Sequence, residues 1–289
     1  MTQKIGIIGG SGLYKIEGLT DTKWLKVDTP FGKPSDEYLL GKLSGVEIVF
    51  LARHGRGHYV MPTELNYPAN IYGMKKLGVE RIISVSTVGS FKEEIKPLDI
   101  LIPDQYVDRT NQARKATFFG NGIVAHVNFA DPSCNVLAEI IAQSAEETGV
   151  TVHKGGTYLN MEGPAFSTRA ESRLYKSWGM DVIGMTNMPE ARCAREAEIC
   201  YVTMAMVTDY DCWHKGESVD IETVIKNLQK NSEVAKEVIK KALPKIPKQR
   251  DCPCASALKD AIITKPKLIP RETKKKLELI IGKYINYRG

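Results

Sequence analysis

Short apolar, β-branched runs alternate with amphipathic stretches along most of the chain, and this alternation is the strongest constraint on its fold. Lys4 to Ile8 runs straight into Gly9-Gly10-Ser11-Gly12. Tyr38 to Lys42 and Val46 to Ala52 flank Ser44-Gly45, a hairpin signal. Thr63 to Leu77, followed by Gly78, has the marks of a helix and its C-terminal stop. Arg81 to Thr87 and Leu98 to Ile102 are strands, and Cys134 to Thr148 is an amphipathic helix. Thr151 to Asn160 then predicts one strand, Thr168 to Trp178 a helix, Asp181 to Gly184 a strand and Met188 to Ala197 a helix. Ile199 to Thr208 is the most apolar strand. After Ser218, residues Ile221, Val224, Ile225 and Leu228 keep the i, i+3, i+4, i+7 spacing of a helix face. Together these predict a single α/β domain whose mixed, mostly parallel sheet is flanked by helices.

Composition narrows the class. With 43% apolar and 26% charged residues over 289 positions, the chain is neither disordered nor a small disulfide framework. No stretch approaches the roughly 18 to 20 apolar residues of a membrane span, and Ile5 to Ile8 is too short for a signal-peptide core. The expected location is the cytoplasm, with no membrane partner. The net charge of +6 is unevenly placed: from Lys245 onward 12 Lys or Arg face 4 Asp or Glu, so the preceding 244 residues carry about −2. Residues 1–245 therefore form the expected catalytic domain and 246–289 a basic C-terminal extension with five prolines between Pro244 and Pro270. A solvated tail, not a nucleic-acid surface, is the expectation.

The six cysteines stand at 134, 193, 200, 212, 252 and 254. They include no CxxC pair and no zinc-finger spacing, which argues against a structural zinc. Cys252-Pro253-Cys254 is an unusual pair.

Strand ends carry the chemistry-bearing residues. Gly9-Gly10-Ser11-Gly12 lets backbone amides approach an anion. It is no Walker loop, and Lys15 occupies the third glycine position of a dinucleotide fingerprint. Arg53-His54 follows the strand ending at Ala52, Ser86-Thr87 ends the next, and Thr186 follows Gly184. Hydroxyls from three strand ends and an Arg-His pair from a fourth suit a phosphate. Glu162-Gly163-Pro164-Ala165-Phe166 closes another strand with a carboxylate and an aromatic ring. Asp209 and Asp211 end the most apolar strand, where Asp is disfavoured and costly to bury unpaired.

Several segments in order carry a resemblance: Ile5-Gly6-Ile7-Ile8-Gly9-Gly10-Ser11-Gly12-Leu13, Thr29 to Asp36 (TPFGKPSD), Arg53-His54-Gly55-Arg56, Asn66-Tyr67-Pro68-Ala69-Asn70, Glu162-Gly163-Pro164, Phe166 to Ser172 (FSTRAES) and Thr208-Asp209-Tyr210-Asp211. From about residue 3 to about 245 the chain resembles the trimeric branch of the purine nucleoside phosphorylase family, nearest its archaeal-type, methylthioadenosine-cleaving members. The resemblance implies phosphorolysis of 5′-methylthioadenosine to adenine and 5-methylthioribose 1-phosphate, with a broader purine nucleoside phosphorylase as the alternative. It implies that phosphate is held by Ser11, Arg53, His54, Ser86, the backbone at Thr87, and Thr186. Met185 would lie near the ribose and Phe166 would stack on the purine. Asp209 and Asp211 would face N7 and the 6-amino edge, with Asp209 the general acid. Ile221, Val224 and Ile225 would form an apolar slot for the methylthio group, completed by His58 and by His126 of a neighbouring subunit. No metal or organic cofactor is implied, inorganic phosphate being a substrate. The implied assembly is a trimer, or a hexamer built as a dimer of trimers. Disulfides are implied too: Cys134 with Cys200, and the Cys252/Cys254 region with itself or with Cys193. Three features depart from the family pattern: Ala165 stands where Arg is common, Ser11 replaces the Thr of some members, and residues beyond about 265 extend past most members.

Overall fold

The computed structural model describes residues 3–10, 12–111, 113–214 and 221–285. β1 (Lys4–Gly9) is followed by β2 (Thr20–Leu25), β3 (Tyr38–Leu43) and β4 (Val46–Ala52), then α1 (Tyr67–Lys76) and the long β5 (Val79–Ser90). Next come β6 (Ile100–Ile102), β7 (Gln105–Arg109), α2 (Asn135–Glu146), β8 (Val152–Lys154) and β9 (Thr157–Met161). α3 (Arg169–Ser177), β10 (Val182–Gly184), α4 (Asn187–Glu196), β11 (Cys200–Tyr210), α5 (Ile221–Ala242) and α6 (Arg271–Ile281) complete the chain.

β5 is the hub of the sheet. Its first half pairs in parallel with β1, and β11 runs parallel to it from Arg81 to Ser90. Toward its end β10 pairs with it antiparallel, Val182 opposite Ser90 and Ile183 opposite Gly89. The main path is β2-β3-β4-β1-β5-β10-β9-β7, with β6 and β8 branching off β11. The sheet is mixed and mostly parallel, as expected. Side chains alternate along β11: Tyr201, Ala205 and Val207 join one core layer, whereas Cys200, Val202, Met204 and Met206 join the other. α1 and α4 cover the first face, and α2 and α5 cover the second. Burial on both faces explains the unbroken apolar run of β11.

Three expectations change. The predicted strand 151–160 is two strands, because Gly155 and Gly156 adopt φ of +78° and +114°, a left-handed turn that releases β8 toward β6 and β9 toward β10. The predicted helix 63–77 starts only at Tyr67, where the Asn66 side chain accepts from the Ala69 amide at 3.1 Å. The C-terminal segment is no solvated extension. Leu277, Ile280 and Ile281 of α6 are buried in the first core layer, and Ala125 bridges to Ile262. No helix among the described residues is long and apolar enough to cross a membrane.

Candidate active site

The parallel strands β1, β4, β5 and β11 end at one edge of the sheet, and there they open a cavity of about 460 Å³. A ligand site at the carboxyl ends of parallel strands is what this architecture favours. Arg53, His54, Ser86, Thr87 and Thr186 line the cavity, as do Met185, Phe166, His58, Val224, Asp209 and Asp211. Residues from six separate segments thus meet in one volume.

At the anion end, Thr186 is the N-cap residue of α4 yet makes no side-chain capping bond, which leaves its hydroxyl to an incoming anion, whereas the Met188 amide already donates to Asn160 Oδ1 at 3.1 Å and Pro189 has no N–H. The Ser86 hydroxyl is buried and 3.0 Å from the Tyr158 hydroxyl. Arg53 is almost wholly buried. Its Nε donates to Glu190 Oε1 at 2.5 Å, Nη1 to the Val85 carbonyl at 2.9 Å, and Nη2 to Ser84 Oγ at 2.7 Å and Glu190 Oε2 at 3.2 Å. Four of its five N–H donors are therefore engaged, and one Nη1–H is left for a ligand. Glu190 in turn accepts from Ser84 and Tyr201 at 3.0 Å each. Sequence reasoning missed Glu190, whose one signal was a carboxylate inside the apolar face of a helix.

Burial, then the neighbouring Arg53 charge, lower the His54 pKa to about 4. Its Nδ1 lies 2.8 Å from the Val60 carbonyl, which can only accept, so neutral His54 carries its proton on Nδ1. Nε2 is then an acceptor, suited to a protonated phosphate oxygen.

Across the cavity, the register of β11 against β5 slips between Val207 and Asp209. The bulge re-aims the end of the strand. Asp209 comes to lie opposite Gly89, where an added Cβ would stand 3.2 Å from the Asp209 Oδ2. Gly89 therefore keeps the carboxylate uncrowded. Burial raises the Asp209 pKa to about 6, against the 2.7 Å hydrogen bond donated by Thr208 and with help from the Asp211 charge. Burial also raises Asp211, whose Oδ2 is buried without a hydrogen-bond partner. An orphaned carboxylate oxygen at a cavity wall is an acceptor awaiting a donor.

Arg114 braces the wall between these ends. Its Nε donates to Glu162 Oε1 at 3.1 Å, and its two Nη groups donate to the carbonyls of Met185 and Glu162. It lies in a segment without sequence periodicity, so no pattern pointed to it. Ala165 is exposed, and nothing in the structure explains that residue.

Two predicted residues, Ile225 and His126, fall elsewhere. Ser11 lies outside the described residues, as does the Ile221 side chain. Ile225 is half exposed and does not line the cavity. The face of α5 that does so runs through Val224, Leu228, Asn231 and Ser232, an i, i+4, i+7, i+8 stripe from which Ile225 is turned by one helical step. His126 is exposed and outside its own chain's cavity, its amide bonded to the Ala261 carbonyl at 2.9 Å. The cysteines are all free thiols. Cys134, Cys200, Cys252 and Cys254 nonetheless converge, outside the cavity, and are the group among the described residues whose ligand atoms lie close enough to hold a metal ion. Cys193 stands outside that group.

The phosphorylase superfamily model matches residues 4–244. The chain is 60% identical to S-methyl-5′-thioadenosine phosphorylase of Geobacter sulfurreducens, over 99% of this chain and 100% of that one. To the enzyme of the same name from Koribacter versatilis it is 59% identical, over 98% and 97%. These matches include the C-terminal segment, which is therefore shared with such relatives. Among solved structures, a methylthioadenosine phosphorylase from an antarctic soil metagenomic library superposes with a TM-score of 0.92 at 48% identity, covering 96% of this chain and 99% of that one. Methylthioadenosine phosphorylase from Schistosoma mansoni in complex with tubercidin gives 0.81 at 33% identity, over 90% and 97%.

Proposed function

Because the chain belongs to the phosphorylase superfamily, we propose that it cleaves the C1′–N9 bond of 5′-methylthioadenosine with inorganic phosphate, releasing adenine and 5-methylthioribose 1-phosphate. It is a pentosyltransferase. The observation that carries this function is the meeting in one cavity of the Ser86 and Thr186 hydroxyls, the buried Arg53 and the Asp209 carboxyl with its raised pKa. The names of the relatives favour methylthioadenosine over a broader range of purine nucleosides.

The chemistry follows from where charge develops. As C1′–N9 breaks, the sugar becomes cationic and the purine anionic. Phosphate held by Ser11, His54, Ser86, Thr186, the Thr87 backbone and the free Arg53 N–H stabilises the cation and captures C1′. His54, as an acceptor at Nε2, orients the protonated phosphate oxygen away from the sugar. Asp209 with a pKa of about 6 still carries its proton in a useful fraction of molecules near neutral pH, and donates it to N7 of the departing base. Asp211 accepts from the 6-amino edge through its unpaired Oδ2. Met185 contacts the ribose and Phe166 covers the purine at the cavity mouth. Val224 and Leu228 form the apolar wall for the methylthio group, with His58 beside it. The mechanism needs no metal or organic cofactor. The exposed His126 completes the 5′ end of the site in a neighbouring copy, within a trimer or a dimer of trimers.

The test is adenine release from methylthioadenosine with and without phosphate. Strict phosphate dependence with formation of a sugar 1-phosphate is expected; equal rates in phosphate-free buffer would mean hydrolysis and refute the proposal.

A further inference from the structure

Away from the active-site cavity, four sulfurs that are distant in sequence meet. Cys134 is the N-cap residue of α2, Cys200 opens β11, and Cys252 and Cys254 come from the C-terminal segment. Their sulfurs all lie within 4.8 Å of one another, with Cys200 and Cys252 at 3.3 Å. An ion with four sulfurs at about 2.3 Å sets neighbouring sulfurs roughly 3.8 Å apart, so small side-chain adjustments would complete a tetrahedron. Three of the four are buried. Thiols are weak donors and acceptors, and four of them turned toward one point are poorly explained as packing.

A second observation lies beside them. Arg81 stands opposite Cys200 in the β5–β11 ladder, is only 3% exposed, and has an Nη1 that makes no hydrogen bond. Its nearest acid at that atom is Glu80, 3.9 Å away. Arg81, Arg250, Cys134, Cys200 and Cys252 line one small void of about 10 Å³. Four thiolates around a divalent ion carry a net charge of −2. A buried guanidinium with a donor to spare, lining the same void, suits such a group.

We propose that Cys134, Cys200, Cys252 and Cys254 bind one Zn²⁺ ion in a closed, tetrahedral, structural site. Binding releases the four thiol protons and changes no oxidation state. With all four positions taken by protein the ion has no place for substrate, and its role is to pin the C-terminal segment to α2 and β11. The ligands lie 66 and 52 positions apart before the final C-x-C pair, which is why spacing alone argued against zinc. The α2 end and the start of β11 are already joined by the 2.8 Å bond from the Cys134 amide to the Tyr201 carbonyl; the ion would add the tail to that junction.

The test uses untagged, full-length protein, purified with reductant and without chelator, then reconstituted with Zn²⁺ and dialysed. Elemental analysis should find about one zinc per chain. Cobalt substitution should give the intense visible bands of tetrahedral thiolate Co²⁺. Cys252→Ser, at the partly exposed ligand, and Cys254→Ser should each lower zinc retention at least about tenfold, while Cys212→Ser leaves it unchanged. Should Cys254→Ser fail to fold, Cys252→Ser and the wild-type cobalt spectrum still decide the matter. No zinc after reconstitution, iron in its place, undiminished zinc in Cys252→Ser, or disulfides joining these cysteines in the freshly isolated protein would each overturn the proposal.

Discussion

Nε of Arg53 donates to Oε1 of Glu190 at 2.5 Å, and both side chains are almost wholly withdrawn from solvent. The cation that faces the anion end of the cavity is thus held by an equally buried anion. Removing one partner of such a pair leaves an uncompensated charge. Glu190→Ala should destabilise the fold by about 3–5 kcal/mol and weaken the rise in Tm that phosphate produces. Thermal melts with and without phosphate check both effects; an unchanged melt would show the pair to be dispensable.

Asp209 sets a pH dependence. In the proposed role of general acid it must be protonated, and with a pKa of about 6 that form declines as pH rises. At saturating phosphate, kcat/KM for methylthioadenosine should fall about tenfold per unit well above pH 6. His54, neutral above about pH 4, adds no inflection there. Asp209→Asn should lose about 10²-fold or more in kcat and flatten the profile.

The same carboxyl has a stability cost of opposite use. A carboxyl whose pKa rises from 3.8 to about 6 on folding favours the fold below pH 3.8, and that contribution disappears as pH climbs through 6. Asp209→Asn should therefore melt higher than wild type at pH 8, with the difference vanishing near pH 4. Equal melts at pH 8 would mean that burial does not strain this group.

Leu228, one turn along α5 from Val224, lines the cavity, and in the proposed binding mode it faces the methylthio group. A misfit for one small apolar group is worth about 1–3 kcal/mol, so Leu228→Asn should reduce kcat/KM for methylthioadenosine about tenfold or more and that for adenosine less. Steady-state kinetics on the two nucleosides give the ratio; an equal loss for both would place Leu228 away from the 5′ group.

The proposed sharing of the site between subunits predicts complementation. Asp209→Asn and His126→Ala chains, each weak alone, should regain activity when dissociated together and reassembled. Full wild-type activity in a monomer by light scattering would refute the shared site.

Local patterning made much of this protein legible. Apolar runs ending in glycine marked the central strands, because a strand buried on both faces can hold little else. The helix predicted from Thr168 does begin there, where Thr168 and Glu171 form a reciprocal capping box. Arg53, His54, Ser86, Thr186, Asp209 and Asp211 were also visible, since polar groups closing apolar strands are expensive unless used. What the sequence alone did not decide was long-range. Glu190 is an unremarkable helical carboxylate until the fold carries it 137 positions back to Arg53. Which stripe of α5 faces the cavity depends on how the helix is rotated against β11, and an amphipathic period admits both Ile225 and Leu228 until that rotation is set. The four cysteines acquire a common centre only when the C-terminal segment packs against α2 and β11. Neighbours along the chain determine hydrogen bonding and propensity, which sequence records directly. Partners across the core are selected by the packing of whole layers, which becomes defined only once the sheet has closed around β5.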